Sequence, residues 1–163
     1  MLLQQTRAML RSITGYHQDE HGDWVAELGC GHGQHVRHRP PFFLRPWVNT
    51  PEGRGSMLGT ELACVRCDRL ELPEGFVAYQ RTAEFDDGSV PKGLRKAHTT
   101  KPGVWALIHV VSGRLRYRIE TMGGRELVLE PGVPGVVAPE VPHHIEPDGP
   151  VRFFVEFHHK APG

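Results

Sequence analysis

Cys64-Val65-Arg66-Cys67 sets two thiols at the spacing from which a tight knuckle offers both to one tetrahedral ion. The only other cysteine, Cys30, opens the run "CGHGQHVRH", in which three histidines follow within eight residues. Any fold that joins these pieces must bring residue 30 against residues 64–67. That requirement constrains the first half of the chain more than its sparse apolar pattern does. Gly31 permits a sharp turn between Cys30 and His32, so the compact set is Cys30, His32, Cys64 and Cys67, with His35 as the competing fourth ligand. Three thiols and an imidazole suit Zn²⁺ and not Mg²⁺ or Ca²⁺. A closed Cys3His set leaves no open position, so this zinc is expected to be structural. The bland alternatives are three ordinary cysteines or a redox pair. Three is an odd number for a disulfide framework, and no apolar leader is visible at the N-terminus, so a cytoplasmic, reducing location is expected.

The composition shifts near Leu70–Gly75. Before it lie all three cysteines in a turn-rich segment, and after it come short strands without cysteine. Two domains are therefore expected, a small zinc-binding one over residues 9–72 and a β-rich one over 73–163. A block this small, with few apolar runs, needs a staple. Trp24, Val25 and Leu28 read as a strand entering Cys30, and Phe42, Phe43 and Trp47 as the small core. His17, His21 and His38 read as surface residues. The first nine residues are compatible with a loose helical end, and Met9 is an alternative start. Nineteen basic residues balance nineteen acidic ones, so no electrostatic footprint for nucleic acid is present. No run of 18 apolar residues suggests a membrane span.

The second block reads as strands separated by Gly/Pro turns, a mainly β fold of barrel or sandwich type. "VWALIHVV" (Val104–Val111) is almost wholly apolar, as for a strand buried on both faces. In "RLRYRIE", Leu115, Tyr117 and Ile119 alternate inward against Arg114, Arg116 and Arg118. Ser112-Gly113 between them reads as a hairpin turn. In "VRFFVEFHH", Val151, Phe153, Val155 and Phe157 share one face, and Glu156 lies on the other with Arg152, Phe154 and His158.

A carboxylate flanked by aromatic and aliphatic residues must be paired, metal-bound or exposed. His98, His143 and Glu156 would form a two-histidine, one-carboxylate set with open positions, suited to Fe²⁺, Mn²⁺, Ni²⁺ or Zn²⁺. Glu146 is the reserve ligand, and His144 is expected to face out. Pairing of Glu156 with Arg95 or Arg152 is the alternative without metal. Arg95, Lys96 and Lys101, near His98, offer positive charge to an anionic ligand.

The segment "ITGYHQDEHGDWVAELGCGHGQHVRHRPPFFLRPWVNTPEGR" with "LACVRCDR" resembles a small bacterial domain family of unknown function, regarded as a zinc binder, over residues 11–70. The segments "YQRTAEFDDGSVPKGLRKAHTTKPGVWALIHVVSGRLRYRI" and "PGVPGVVAPEVPHHIEPDGPVRFFVEFHH" resemble the YeaR/TehB-type cupin-like family linked with tellurite resistance, over about residues 76–159. That resemblance implies a jelly-roll barrel with metal positions at His98, His143, Glu156 and Glu146. Thr100 and Ala106 stand near where a standard cupin has its second histidine and its glutamate. In TehB proteins the module precedes a methyltransferase, and no nucleotide-binding fold is legible in these 163 residues, so methyl transfer is not carried over. The resulting expectation is a metal-binding, two-domain stress-response protein whose barrel takes a small anionic or oxidised ligand. A ligand sensor or interaction module and a metal-dependent dioxygenase or isomerase are the alternatives, and no complete catalytic set is legible. A small molecule or anion is the expected partner, with no nucleic acid or membrane, and a homodimer by analogy with cupins.

Overall fold

A computed structural model describes residues 9–121 and 123–162; the expected helical N-terminal end lies outside the described residues. The described residues form two compact units, one ending at Arg69 and the other beginning at Leu70.

The first unit is built on β1 (Leu10–Gln18), β2 (Trp24–Leu28), β3 (Gly33–His35) and β4 (Glu61–Ala63), antiparallel in the order β3-β2-β1-β4. The β1–β2 turn is set by Asp19, whose Oδ1 accepts from the backbone N–H groups of His21 and Asp23, with Gly22 at φ +80°. Two short helices lie between and after these strands. α1 (Pro51–Ser56) starts where Thr50 Oγ1 accepts from Gly53 N–H, and α2 (Val65–Asp68) starts at Cys64. Buried aliphatics are few: Ile13, Val25, Ala26, Leu28, Val36 and Val48.

Phe42 and Phe43 are not the core. They are 88% and 49% exposed, and Trp47 is half-buried. Arg39 and Phe43 exchange backbone hydrogen bonds, which closes a tight turn and puts Pro40, Pro41 and Phe42 at its tip, where a side chain meets solvent. The interior place expected for aromatics is taken by small aliphatics and the cysteines themselves.

The second unit is one six-stranded antiparallel sheet. It contains β5 (Phe76–Arg81), β6 (Phe85–Asp86), β7 (Trp105–Ile119), β8 (Arg125–Leu129), β9 (Gly135–Val137) and β10 (His143–Lys160). The central order is β5-β10-β7-β8, with β6 pairing β10 and β9 pairing β7. β7 and β10 pair along nearly their whole lengths, from His143↔Ile119 to His158↔Trp105. Leu115, Tyr117 and Ile119 are buried as the alternation requires, with Trp105, Phe153 and Leu129. The Tyr117 hydroxyl is satisfied by donating to the Val136 carbonyl at 2.9 Å.

Ser112-Gly113 is not a hairpin turn. β7 runs through it, and Gly113 pairs with Val151 in mid-strand. At this level the register shifts, because β10 carries the extra residues of Asp148-Gly149-Pro150. Gly113 has φ +82°, and a Cβ there would stand 2.0 Å from the Pro150 carbonyl oxygen. The glycine serves close approach of two long strands, not a reversal of direction. Among the described residues no helix is long and apolar enough to cross a membrane.

Candidate functional site

Two sets of functional groups emerge, one in each unit. In the first unit Cys30, His32, Cys64 and Cys67 are all buried and converge, with their ligand atoms within 4.8 Å of one another. The β2–β3 turn supplies the first pair. Gly31 takes φ +100°, Gly31 N–H donates to the Leu28 carbonyl, and Leu28 N–H donates to that of His32. This fold-back swings His32 beside Cys30. The second pair comes from the knuckle at the start of α2, anchored where Cys64 N–H donates to the Met9 carbonyl and Asp68 Oδ1 accepts from Met9 N–H. Both pairs flank β1, so the sheet itself closes the long loop between them.

The edges of the cluster match a zinc tetrahedron. With Zn–S of about 2.3 Å and Zn–N of about 2.0–2.1 Å, the S···S edge is about 3.8 Å and the S···N edge about 3.5 Å. Cys30 Sγ lies 3.8 Å from Cys64 Sγ, and His32 Nδ1 lies 3.5, 3.3 and 3.5 Å from the sulfurs of Cys30, Cys64 and Cys67. The cluster could hold a metal ion such as zinc, through four protein ligands and with no position left open.

Its electrostatics point the same way. Hydrogen bonds from Cys30 and Cys67 hold the Cys64 thiol far below the ordinary thiol range, against burial. Sharing of protons with Cys30 and Cys64, and burial, push Cys67 far above that range, with the charge of Arg11 in opposition. Burial disfavours a charged His32, yet the adjacent Cys30 and Cys64 hold its pKa up at about 9. A cation that takes these ligands displaces the protons they would otherwise hold. Arg11 is the only lysine or arginine buried among the described residues. It lies on β1 opposite Leu62 of β4 and supplies positive charge near the Cys67 thiol. His35 is elsewhere, paired with Asp19 Oδ2 at 2.9 Å, and His38 Nδ1 accepts from Arg45 N–H. His17 and His21 pair with Glu27 and Glu20 at the surface.

In the second unit a cavity of about 510 Å³ opens against the sheet. Val104, Ile108, Val137, Ile145, Val155 and Phe157 give it an apolar wall, and His98 and His143 share that wall. These two residues exchange backbone hydrogen bonds, and their ring centroids are 4.1 Å apart. His143 is buried, and Tyr117 packs edge-on against it at 5.9 Å. Each Nδ1 lies on a carbonyl two residues back, Lys96 O at 3.0 Å for His98 and Val141 O at 2.8 Å for His143. A carbonyl only accepts, so each Nδ1 carries the proton, and in the neutral form of such a ring Nε2 is the acceptor.

The His143 pKa is pushed down to about 4, mainly by burial, with the neighbouring His98 and His144 adding to the shift and the Val141 carbonyl opposing it. An unfolded chain's histidine titrates near 6.5. Between those values the unfolded chain binds a proton that the folded one refuses, so stability falls as pH falls from about 6.5 to about 4. The loss is on the order of 3 kcal/mol. Denaturation midpoints of the second unit at pH 7.5 and 4.5 measure it, and His143→Gln is expected to flatten that dependence.

Glu156 does not join this pair. Val155 and Phe157 line the cavity, so the intervening Glu156 faces the opposite side of β10. There its Oε1 accepts from His158 Nε2 at 2.7 Å and lies 3.4 Å from His109 Nε2. The hydrogen bonds from His158 and, behind it, His109 hold its carboxyl below the ordinary range. Glu146 is exposed on that same opposite side, next to the inward-facing Ile145. His144 does face away from the cavity and pairs with Glu120. Among the described residues the cavity lining contains no carboxylate, and Lys101 is its one formal charge. Arg95 turns to the Asp87 carbonyl. His109 was not foreseeable from spacing; only its cross-strand position opposite Phe154, beside Glu156, brings it in.

Fold and sites define a β-rich protein with a buried Cys3His cluster in one unit and an imidazole-bearing apolar cavity in the other. Its two halves have separate relatives. Residues 14–71 match a family described as a protein of unknown function (DUF3565), and residues 80–155 match the TehB-like domain. Among solved structures, TehB from Haemophilus influenzae superposes with a TM-score of 0.50 at 22% identity, over 53% of this chain and 32% of that one. A protein from E. coli (strain K12) does so with a TM-score of 0.50 at 24% identity, over 57% of this chain and 98% of that one. The comparison with curated proteins finds no match. The chain thus spans about a third of TehB, and the likeness concerns the fold of its second half.

Proposed function

We propose that this protein is a zinc-stapled, small-molecule-binding protein. The first unit holds one structural Zn²⁺ through Cys30, His32, Cys64 and Cys67, and the second binds its ligand in the cavity against His98 and His143. The observation that carries the reading is the pair of imidazoles fixed by their Nδ1–H bonds with both rings on an apolar cavity wall. Zinc would neutralise three thiolates and hold the two knuckles on one point; it would supply no open coordination position. A divalent ion in the cavity would find two protein ligands, His98 and His143, where open catalytic sites use three. This favours a binding or sensing module over a dioxygenase or isomerase. A cupin-like, tellurite-related stress role is supported by the match to the TehB-like domain, and an anionic ligand by Lys101 alone.

Elemental analysis of the purified wild type, Cys64→Ser and His98→Ala tests this. One zinc ion per chain is expected, lost in Cys64→Ser and retained in His98→Ala. A second, redox-active metal that disappears in His98→Ala would overturn the binding reading in favour of an enzyme.

A further inference from the structure

The polar groups of the cavity can be accounted for one by one. Thr82 Oγ1 donates to the Ala83 carbonyl at 2.8 Å and accepts from Val155 N–H at 3.0 Å. Thr100 Oγ1 donates to the Val104 carbonyl at 2.9 Å. His98 and His143 spend their Nδ1 protons on backbone carbonyls. Tyr79, Gln80, Thr99 and Lys101 are exposed. The inner wall therefore offers acceptors, the two Nε2 atoms, and has committed its donors elsewhere. A ligand buried there must bring the protons, because an acceptor left unpaired in an apolar wall costs free energy that a paired one does not. The volume of about 510 Å³ lies in the range of small-molecule sites, and an apolar wall favours an apolar body. With no carboxylate in the lining, no negative charge there recognises an organic cation.

Resting on the reading of the cavity as a binding site, we propose that its ligand is a small neutral molecule of aromatic or similarly apolar frame whose hydroxyl or N–H groups donate to Nε2 of His98 and His143. Simple phenols and indoles represent the class. This differs from an anion held by Lys101, which would place its charge at the rim and leave both imidazoles without a donor.

The test compares matched probes on the full-length, zinc-loaded chain. Phenol and indole are titrated against anisole and N-methylindole, which keep the shape and lose the donor, with benzoate, tellurite and Zn²⁺ as further arms. Binding is followed by calorimetry and by the imidazole nitrogen resonances of His98 and His143. Phenol and indole are expected to bind about tenfold or more tightly than their methylated partners. The unprotonated Nε2 resonances should move upfield toward the hydrogen-bonded value. In His143→Gln the preference should shrink, and the wild-type resonances report the contact even if that variant folds poorly. Equal binding of phenol and anisole, or benzoate or tellurite binding more tightly than phenol, overturns the donor-bearing class. If benzoate, tellurite or added Zn²⁺ moves the His143 signal while phenol and indole do not, the class fails and the binding site stands. If no probe and no metal moves either imidazole, both fail together.

Discussion

Cys64→Ser is expected to unfold the first unit and release its metal, while the second unit keeps its fold. The four ligand atoms are the one place where β2, β3, β4 and α2 converge, and the aliphatic core around them is six residues of modest size. A unit of this length gains little from core burial alone and depends on a staple. Structural zinc contributes about 10–16 kcal/mol of apparent binding free energy at neutral pH, nearly all of it felt as folding free energy. Loss of one thiolate from a buried Cys3His set removes enough of that to exceed the stability of such a unit. The three tryptophans divide the readout, since Trp24 and Trp47 lie in the first unit and Trp105 is fully buried in the second. In Cys64→Ser the indole N–H resonances of Trp24 and Trp47 should collapse to unfolded positions and that of Trp105 should stay. A strong chelator should produce the same pattern in the wild type, with restoration on zinc addition. A Cys64→Ser protein that keeps both its zinc and the dispersed Trp24 and Trp47 signals would defeat the assignment.

What the sequence revealed and what it concealed follow from the range of the forces involved. The Cys3His cluster was legible because its signals are local: a C-x2-C knuckle, and a glycine between Cys30 and His32 that takes φ +100°. The choice of His32 over His35 also follows from proximity, since His35 lies on β3 and pairs with Asp19 across the turn. Alternation gave the inward faces of Leu115, Tyr117 and Ile119 and, on the neighbouring strand β10, of Val151, Phe153 and Val155. Hydrophobicity misplaced Phe42 and Phe43, because an apolar residue in the five-residue turn that Arg39 and Phe43 close has no interior to reach. Glu156 was drawn to His143 by residue type, although the inward phase of β10 passes through Val155 and Phe157 and excludes it. Following that phase back across the irregular stretch at Asp148-Gly149-Pro150 needs the pairing with β7, which no local pattern supplies.

Gly113→Ala provides the sharpest test of that pairing. A glycine at φ +82° reads the same in sequence whether it turns a hairpin or lets two strands cross closely. The energetics differ. In a hairpin tip the added methyl points to solvent, and the substitution costs only the left-handed conformation, about 1–2 kcal/mol. In the fold described here the methyl carbon would stand 2.0 Å from the Pro150 carbonyl oxygen and 2.9 Å from Val151 Cα, both backbone atoms that cannot swing aside. β7 and β10 would have to separate where they carry the centre of the sheet. The expected cost is therefore about 3 kcal/mol or more, the conformational part plus a disrupted close approach. In a unit of this size that lowers its Tm by more than about 10 °C. Gly149→Ala is the matched control, because Gly149 has φ +78° and nothing within 4 Å of its Cβ position. It should lose only the conformational part. Denaturation of the full chain followed through Trp105 measures both. If the two variants lose the same stability, the crossing at Gly113 is not close, and β7 does not run unbroken from Trp105 to Ile119. If Gly113→Ala loses at least about 2 kcal/mol more than Gly149→Ala, the long paired strands that present His143 and Val155 to one cavity and Glu156 to the other side are confirmed as the frame of the site.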